Sequence, residues 1–217
     1  MNIIGKEYDK LLFVHIPKTA GTSISKILNN KNLDSWNRVY PRHHDPYFSL
    51  KNKNQIDDRV FSFSVVRNPY TRTYSCYKQF NKAQNTNMSF IEYLNNIVEK
   101  NISKDTSLLN LQELFHVLGQ ENKISDHTSL IHLPQSFYVL GQENTIQVTK
   151  LYKFENLKEL EDDFNWNVEF YNVGDYTKDM YNSSYTDTAI EIVKKIYEID
   201  FLTFGYTMNF NSTLEEK

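Results

Sequence analysis

Residues 13–23 read FVHIPKTAGTS, the end of an apolar run that breaks at a proline and passes through one lysine, one glycine and three hydroxyl residues into a helical pattern. The run from 11 to 16 is continuous rather than alternating, which predicts a strand buried on both faces, as in a parallel sheet. After the turn, Ile24, Ile27 and Leu28 recur at helical spacing, with Thr22 or Ser23 available as the N-cap. A buried strand, a small-residue turn and a helix start in succession restrict the chain to layered α/β folds. They also form the arrangement in which unpaired N–H groups and the helix dipole hold phosphate-like anions.

The theme returns in RVFSFSVVRNPYTRTYSCYKQF, where 60–66 reads as a second strand and Pro69 as a helix start, with Tyr70, Tyr74 and Tyr77 on one face. Residues 29–59, including YPRHHDPYF, are polar and read as loop. A capping box at Ser89 and Glu92 opens a helix carrying Phe90, Leu94, Ile97 and Val98 on its apolar side. A further stripe, Leu108, Leu111, Phe115 and Leu118, stops at Gly119. Residues 145–154 predict a third strand followed by a helix. A last helix, with Ile190, Val193, Ile196 and Tyr197, follows a capping box at Thr188 and Glu191. Strands alternating with helices predict an α/β layered domain with a mainly parallel sheet. At 217 residues the chain suits a single domain, 1–217, in which 81–144 forms a helical and loop region. The near repeat HVLGQEN at 116–122 and YVLGQEN at 138–144 carries no functional reading, because two copies do not make a solenoid.

Composition narrows the partners. A formal net charge of -3 supplies no basic field, which argues against nucleic acid as the main partner. Cys76 is the single cysteine, so no internal disulfide can form and a reducing, cytoplasmic compartment is expected. No apolar run approaches the roughly 20 residues of a membrane span, and the first ten residues lack a signal-peptide core.

In an open parallel sheet, ligands sit beyond the carboxyl ends of the strands, where both unusual loops fall. The first offers backbone N–H groups, Lys18, and the hydroxyls of Thr19, Thr22 and Ser23. It is not a Walker A loop, because Lys18 precedes the single glycine, Gly21, instead of following the glycines. Where a magnesium-binding acid would end the second strand stands Arg67, which favours a second anionic group over a metal ion. Ser75 lies about two helical turns beyond Arg67. His15 falls inside the first strand and reads as a core histidine, and Cys76 as a packing residue. Asp126, His127 and His132 fit no zinc spacing, and no metal is expected.

HIPKTAGTS together with FSVVRNPYTRTYS resembles the paired 5′-phosphosulfate and 3′-phosphate loops of sulfotransferases that use 3′-phosphoadenosine 5′-phosphosulfate. The similarity is greatest to the carbohydrate branch, which includes heparan 2-O-sulfotransferases and small bacterial enzymes. VTKLYKFENL and the closing IYEIDFLTFGY resemble the same branch. The resemblance implies a P-loop-NTPase-like three-layer fold and sulfuryl transfer from that donor to an acceptor hydroxyl, on a glycan, leaving adenosine 3′,5′-bisphosphate. It implies that Pro17, Lys18, Thr19, Ala20, Gly21, Thr22 and Ser23 hold the phosphosulfate and that Arg67 and Ser75 hold the 3′-phosphate. It also implies a catalytic pair, Lys18 and a histidine base in the 29–59 loop, where His43 matches best and His44 is the alternative. Residues 172–184 resemble a loop that covers the nucleotide. Two competing classes are a P-loop kinase-like nucleotide enzyme and a non-catalytic nucleotide-binding module.

Overall fold

Val60–Val66 is buried at every position and forms the middle strand of a three-stranded parallel sheet. The computed structural model describes residues 2–30, 44–54, 56–102, 131–141, 144–171 and 176–213. Its elements in chain order are β1 (Asn2–Ile3), β2 (Lys6–Glu7), β3 (Lys10–Val14), α1 (Gly21–Asn30), α2 (Tyr47–Asn54), β4 (Val60–Val66), α3 (Pro69–Gln84), α4 (Phe90–Ile102), α5 (Ser136–Val139), β5 (Lys150–Lys153), a 3₁₀ turn (Phe154–Asn156), α6 (Leu157–Phe164), α7 (Lys178–Ser184), α8 (Asp187–Phe204) and α9 (Phe210–Thr213). They gather into two compact units, one of Met1–Arg67 with Gln135–Val173 and one of Asn68–Pro134 with Gly174–Lys217.

The first unit holds the sheet, in the order β3-β4-β5. Its register pairs Val14 with Ser64 and Val66 with Lys153, so all three carboxyl ends fall on one edge. Side chains alternate across the pleat. Phe61, Phe63 and Val65 join Phe13 and Tyr152 on one face, where Ile24 and Leu28 of α1 and Leu157 and Leu160 of α6 complete a single apolar cluster. Phe164 sets its ring 5.0 Å from that of Phe63 and stacks on Trp166 at 4.3 Å. On the opposite face, Tyr47 of α2 hydrogen-bonds to the Ser62 side chain, and Phe48 meets Phe137 of α5 edge-on at 6.1 Å. Helices therefore flank a parallel sheet on both faces, the three-layer α/β arrangement predicted.

The second unit is helical and rich in tyrosine. Asn68 caps α3 by accepting from the Tyr70 N–H at 3.0 Å, with Pro69 at the first helical position. The hydroxyl of Tyr185 donates to the Tyr70 carbonyl at 2.6 Å, and that of Tyr70 to the Met208 carbonyl at 2.7 Å. Arg72 is buried beneath this layer and donates to the carbonyls of Ile131 and Leu133, each at 3.1 Å. The capping box of α4 forms as predicted, with Glu92 accepting from the Ser89 N–H at 2.7 Å. Burial of Cys76 agrees with its packing role.

Other boundaries differ from the sequence reading. Part of 29–59 is helix, because Pro46 starts a turn whose carbonyl accepts from Ser49 and Leu50 at 3.0 and 3.1 Å; Tyr47 and Leu50 alone are too few to show a period. The third strand is confined to Lys150–Lys153, since the segment before it turns back, with the Gly141 N–H donating to the Thr145 carbonyl at 2.9 Å. The last helix starts at Asp187, capped by Thr186, whose hydroxyl accepts from the Ala189 N–H at 3.3 Å; Thr188 lies inside the helix. The stripe at 108–118, the heptapeptide at 116–122, and Asp126 and His127 lie outside the described residues.

Candidate functional site

β3 hands over to α1 through a loop whose backbone is strained at two non-glycine residues, Lys18 and Ala20, both with φ of 68°. Left-handed backbone costs an L-residue about 1–2 kcal/mol, and such strain clusters where a loop must hold a ligand. Left-handed residues thus stand on either side of Thr19, and successive N–H groups in such turns can form anion-binding concavities. The loop is braced from within. Thr19, fully buried, donates its hydroxyl to the Ile16 carbonyl at 2.9 Å. Pro17 is buried, Lys18 half-buried and Thr22 exposed. The buried Ser23 hydroxyl accepts from the Tyr171 N–H at 3.1 Å, so two of the three expected hydroxyls brace the protein and Thr22 faces outward.

Neither Thr22 nor Ser23 caps α1. The helix begins at Gly21, with the Ala20 carbonyl accepting from the Ile24 N–H at 3.2 Å, because the left-handed turn at Ala20 brings the chain into helical direction earlier. Gly21 itself is required by a close approach. A Cβ at that position would stand 1.6 Å from Nε2 of His15.

His15 is therefore not the core histidine predicted. It lies one residue past the end of β3, half-buried, with its ring over Gly21 and its centroid 4.3 Å from that of His44. His44 is buried and its Nδ1 donates to the His15 carbonyl at 2.8 Å. A carbonyl can only accept, so the neutral His44 ring carries its proton on Nδ1 and presents Nε2 as the basic nitrogen. His43 lies outside the described residues.

Arg67 directly follows β4 on the same edge. Its guanidinium donates to the Lys18 carbonyl at 3.2 Å and lies 4.2 Å from the ring centre of Phe154, just past β5. Gln135 grips its backbone from both sides, accepting from the Arg67 N–H and donating to the Arg67 carbonyl, each at 2.8 Å. Lys18 and Arg67 are thus brought together at neighbouring strand tips. Ser75 belongs to the second unit, on α3, and is buried. Thr71 and Thr73 of that helix donate back to the Asn68 and Pro69 carbonyls at 3.1 and 2.7 Å, whereas Ser75 makes no such bond among the described residues.

The sequence model of the sulfotransferase family matches residues 1–207. The chain belongs to the sulfotransferase family. No curated protein and no solved structure matches it. As a sulfotransferase the chain is a transferase of sulfuryl groups. The loops at Lys18 and Arg67 suit the negatively charged partners of that chemistry. Among the described residues, no three His, Cys, Asp or Glu side chains are grouped to hold a metal ion, and no helix is long and apolar enough to cross a membrane.

Three features of this sulfotransferase escape sequence reasoning. The Gln135 clamp acts across 68 residues and has no local signature. Phe154 shows only as the end of a strand. Tyr171 and Phe170, both exposed, follow a stretch without periodicity; Lys26 of α1 lies 3.4 Å above the Tyr171 ring, and Phe170 meets Phe154 edge-on at 5.8 Å. Only the lone glycine hints at the His15 approach.

Proposed function

We propose that the chain transfers a sulfuryl group from 3′-phosphoadenosine 5′-phosphosulfate to an acceptor hydroxyl on a carbohydrate. The observation that carries this reading is the bond from the Arg67 guanidinium to the Lys18 carbonyl, which sets two cationic strand tips within reach of one ligand with an anionic group at each end. In this reading residues 17–23 receive the 5′-phosphosulfate and Arg67 receives the 3′-phosphate. Ser75 assists Arg67, and its hydroxyl is not committed to its own helix backbone. The family match includes residues of both units, which supports treating 1–217 as one sulfotransferase domain with 81–144 on the acceptor side. Cytoplasmic residence belongs to the same proposal and rests on the single cysteine.

Transfer requires acceptor oxygen, sulfur and leaving phosphate oxygen in line, with negative charge growing on the leaving side. Lys18 and the loop N–H groups stabilise that charge without reorganising, as preorganised donors do in related group transfers. The acceptor hydroxyl must give up a proton. The base is drawn from the histidine pair at 43–44. His43 is the residue that the resemblance favours; His44 has a defined tautomer, a basic Nε2 and a place beside the His15 ring, which supports it as the base.

Two assays test the reading. Adenosine 3′,5′-bisphosphate at 100 times its dissociation constant should stabilise the protein by about 2.7 kcal/mol, and ATP with magnesium should give far less; equal protection would favour a kinase-like enzyme. Labelled-sulfate transfer to a glycan panel should vanish in H44A or in H43A, whichever carries the base, while bisphosphate binding persists. Undiminished transfer in both variants would remove the histidine base.

A further inference from the structure

Phe170 and Tyr171 are neighbours in the chain, and each reaches toward a different strand tip. The Tyr171 N–H donates at 3.1 Å to the hydroxyl of Ser23, in the first turn of the helix that follows the Lys18 loop. Phe170 meets Phe154 edge-on at 5.8 Å, and the Arg67 guanidinium lies over that same Phe154 ring at 4.2 Å. A short strap therefore ties the helix of one cationic tip to the ring beneath the other, and all of these residues belong to the first unit.

Core packing accounts for the strap only up to Val168. Trp166 stacks on Phe164 at 4.3 Å and the Val168 N–H donates to Glu161 at 2.7 Å, both residues being buried. Phe170 and Tyr171 are 54% and 40% exposed, so burial of their rings is not what keeps the chain in place. Specific contacts do so instead. Lys26 sits 3.4 Å above the Tyr171 ring, a cation–π contact within the same turn-and-a-half of α1 as Ser23. The Ser23 hydroxyl meets a residue 148 positions later, whereas Thr71, Thr73 and Ser184 donate their hydroxyls back to carbonyls three or four residues earlier.

We propose that Ser23 and Phe170 are positioning residues for the donor: the strap they anchor sets the spacing between the anion loop and Arg67, so that a ligand with an anion at each end meets both tips. The proposal rests on the donor reading given above. The bond from Arg67 to the Lys18 carbonyl holds one guanidinium nitrogen, the Phe154 ring supports the guanidinium, and Phe170 buttresses that ring. A ligand that touches one tip alone does not sense the spacing.

The test compares, by calorimetric titration of the full chain, adenosine 3′,5′-bisphosphate, which spans both tips, with adenosine 5′-monophosphate, which reaches only the loop. S23A and F170A should each weaken the bisphosphate by about 3- to 10-fold and leave the monophosphate little changed. The double variant should lose less than the product of the two single losses, because both cut one strap. Y171P, which deletes the donor N–H and spares Ser23, should match S23A, and F170Y, which keeps the ring, should restore affinity. Equal losses for the two nucleotides in S23A would mean that the hydroxyl binds phosphate itself, and equal losses in F170A that the ring touches the nucleoside; either would overturn the strap and leave the donor assignment standing. Hydrogen exchange at the Tyr171 amide, read without ligand, should quicken in S23A, and unchanged exchange would also overturn the strap. Absence of bisphosphate binding in wild type would instead overturn the donor assignment, and the spacing role with it.

Discussion

Two strand tips of this protein lead into helices, and they are built in different ways. Beyond β3 the backbone itself is contorted, with left-handed residues at Lys18 and Ala20 and a glycine kept bare by the His15 ring. Beyond β4 the helix start is ordinary: Asn68 caps it and Pro69 opens it, so nothing in the backbone is strained for a ligand. What the second tip contributes is a side chain, Arg67, held by Gln135 and laid over Phe154. The first tip should therefore bind mainly through its main chain and tolerate loss of a side chain. The second should depend on one guanidinium.

The largest expected effect follows from that contrast. Arg67→Ala should weaken adenosine 3′,5′-bisphosphate by about 2–5 kcal/mol while barely changing adenosine 5′-monophosphate, as read by calorimetric titration. Equal losses for the two ligands would remove Arg67 from the 3′-phosphate. Next comes Gly21→Ala, which drives a methyl into the His15 ring and should destabilise the fold by about 1–3 kcal/mol as well as weaken bisphosphate; an unchanged melting temperature would mean that the ring swings away freely. Lys18→Ala should weaken the bisphosphate by only about 1–1.5 kcal/mol, since the N–H groups of the loop remain. A loss matching that of Arg67→Ala would erase the contrast.

Smaller effects sharpen it in stability alone. Ala20→Gly should stabilise the fold by up to about 1 kcal/mol, because glycine accepts φ of 68° without strain. Asn68→Ala should destabilise it by about 1 kcal/mol. Chemical denaturation of both variants measures the two opposite signs. The smallest effect concerns the strand that carries Phe154. Asp163 on α6 accepts from Lys150 at 2.6 Å and from the Tyr152 hydroxyl at 2.7 Å. Burial alone would raise its pKa, but these bonds outweigh burial and hold it below the usual carboxylate value. A lowered folded pKa stabilises the protein above the unfolded value, near 3.9, and that stability disappears as pH falls through the folded one. Asp163→Asn should therefore flatten the acid limb of the stability profile by about 1 kcal/mol and leave neutral binding intact.

The central strand is legible to the residue because a continuous apolar run admits little else, and the capping box at Ser89 and Glu92 forms where its spacing places it. Both strand-to-helix turns form where small, polar and basic residues follow an apolar run. What sequence does not show is anything set by distance along the chain or by a single backbone angle. Gln135 is one polar residue between Pro134 and Ser136, and its grip on Arg67 exists only once β4 and α5 are packed. Counting along the apolar run assigns His15 to the strand, yet β3 ends at Val14 and the ring turns to the loop. The cap of α8 differs from expectation because two threonines compete for it and local geometry chooses Thr186, whereas α1 starts ahead of its hydroxyls after the left-handed turn at Ala20. Tyr47–Asn54 is hidden because an eight-residue helix is too short to leave a periodic trace.

A crystal structure of the complex with adenosine 3′,5′-bisphosphate tests the central claim most directly. The 5′-phosphate should lie about 3 Å from the main-chain N–H groups between Lys18 and Ser23, with the 3′-phosphate at a similar distance from the Arg67 guanidinium. A nucleotide bound elsewhere, or one that leaves either strand tip without a phosphate, would contradict it.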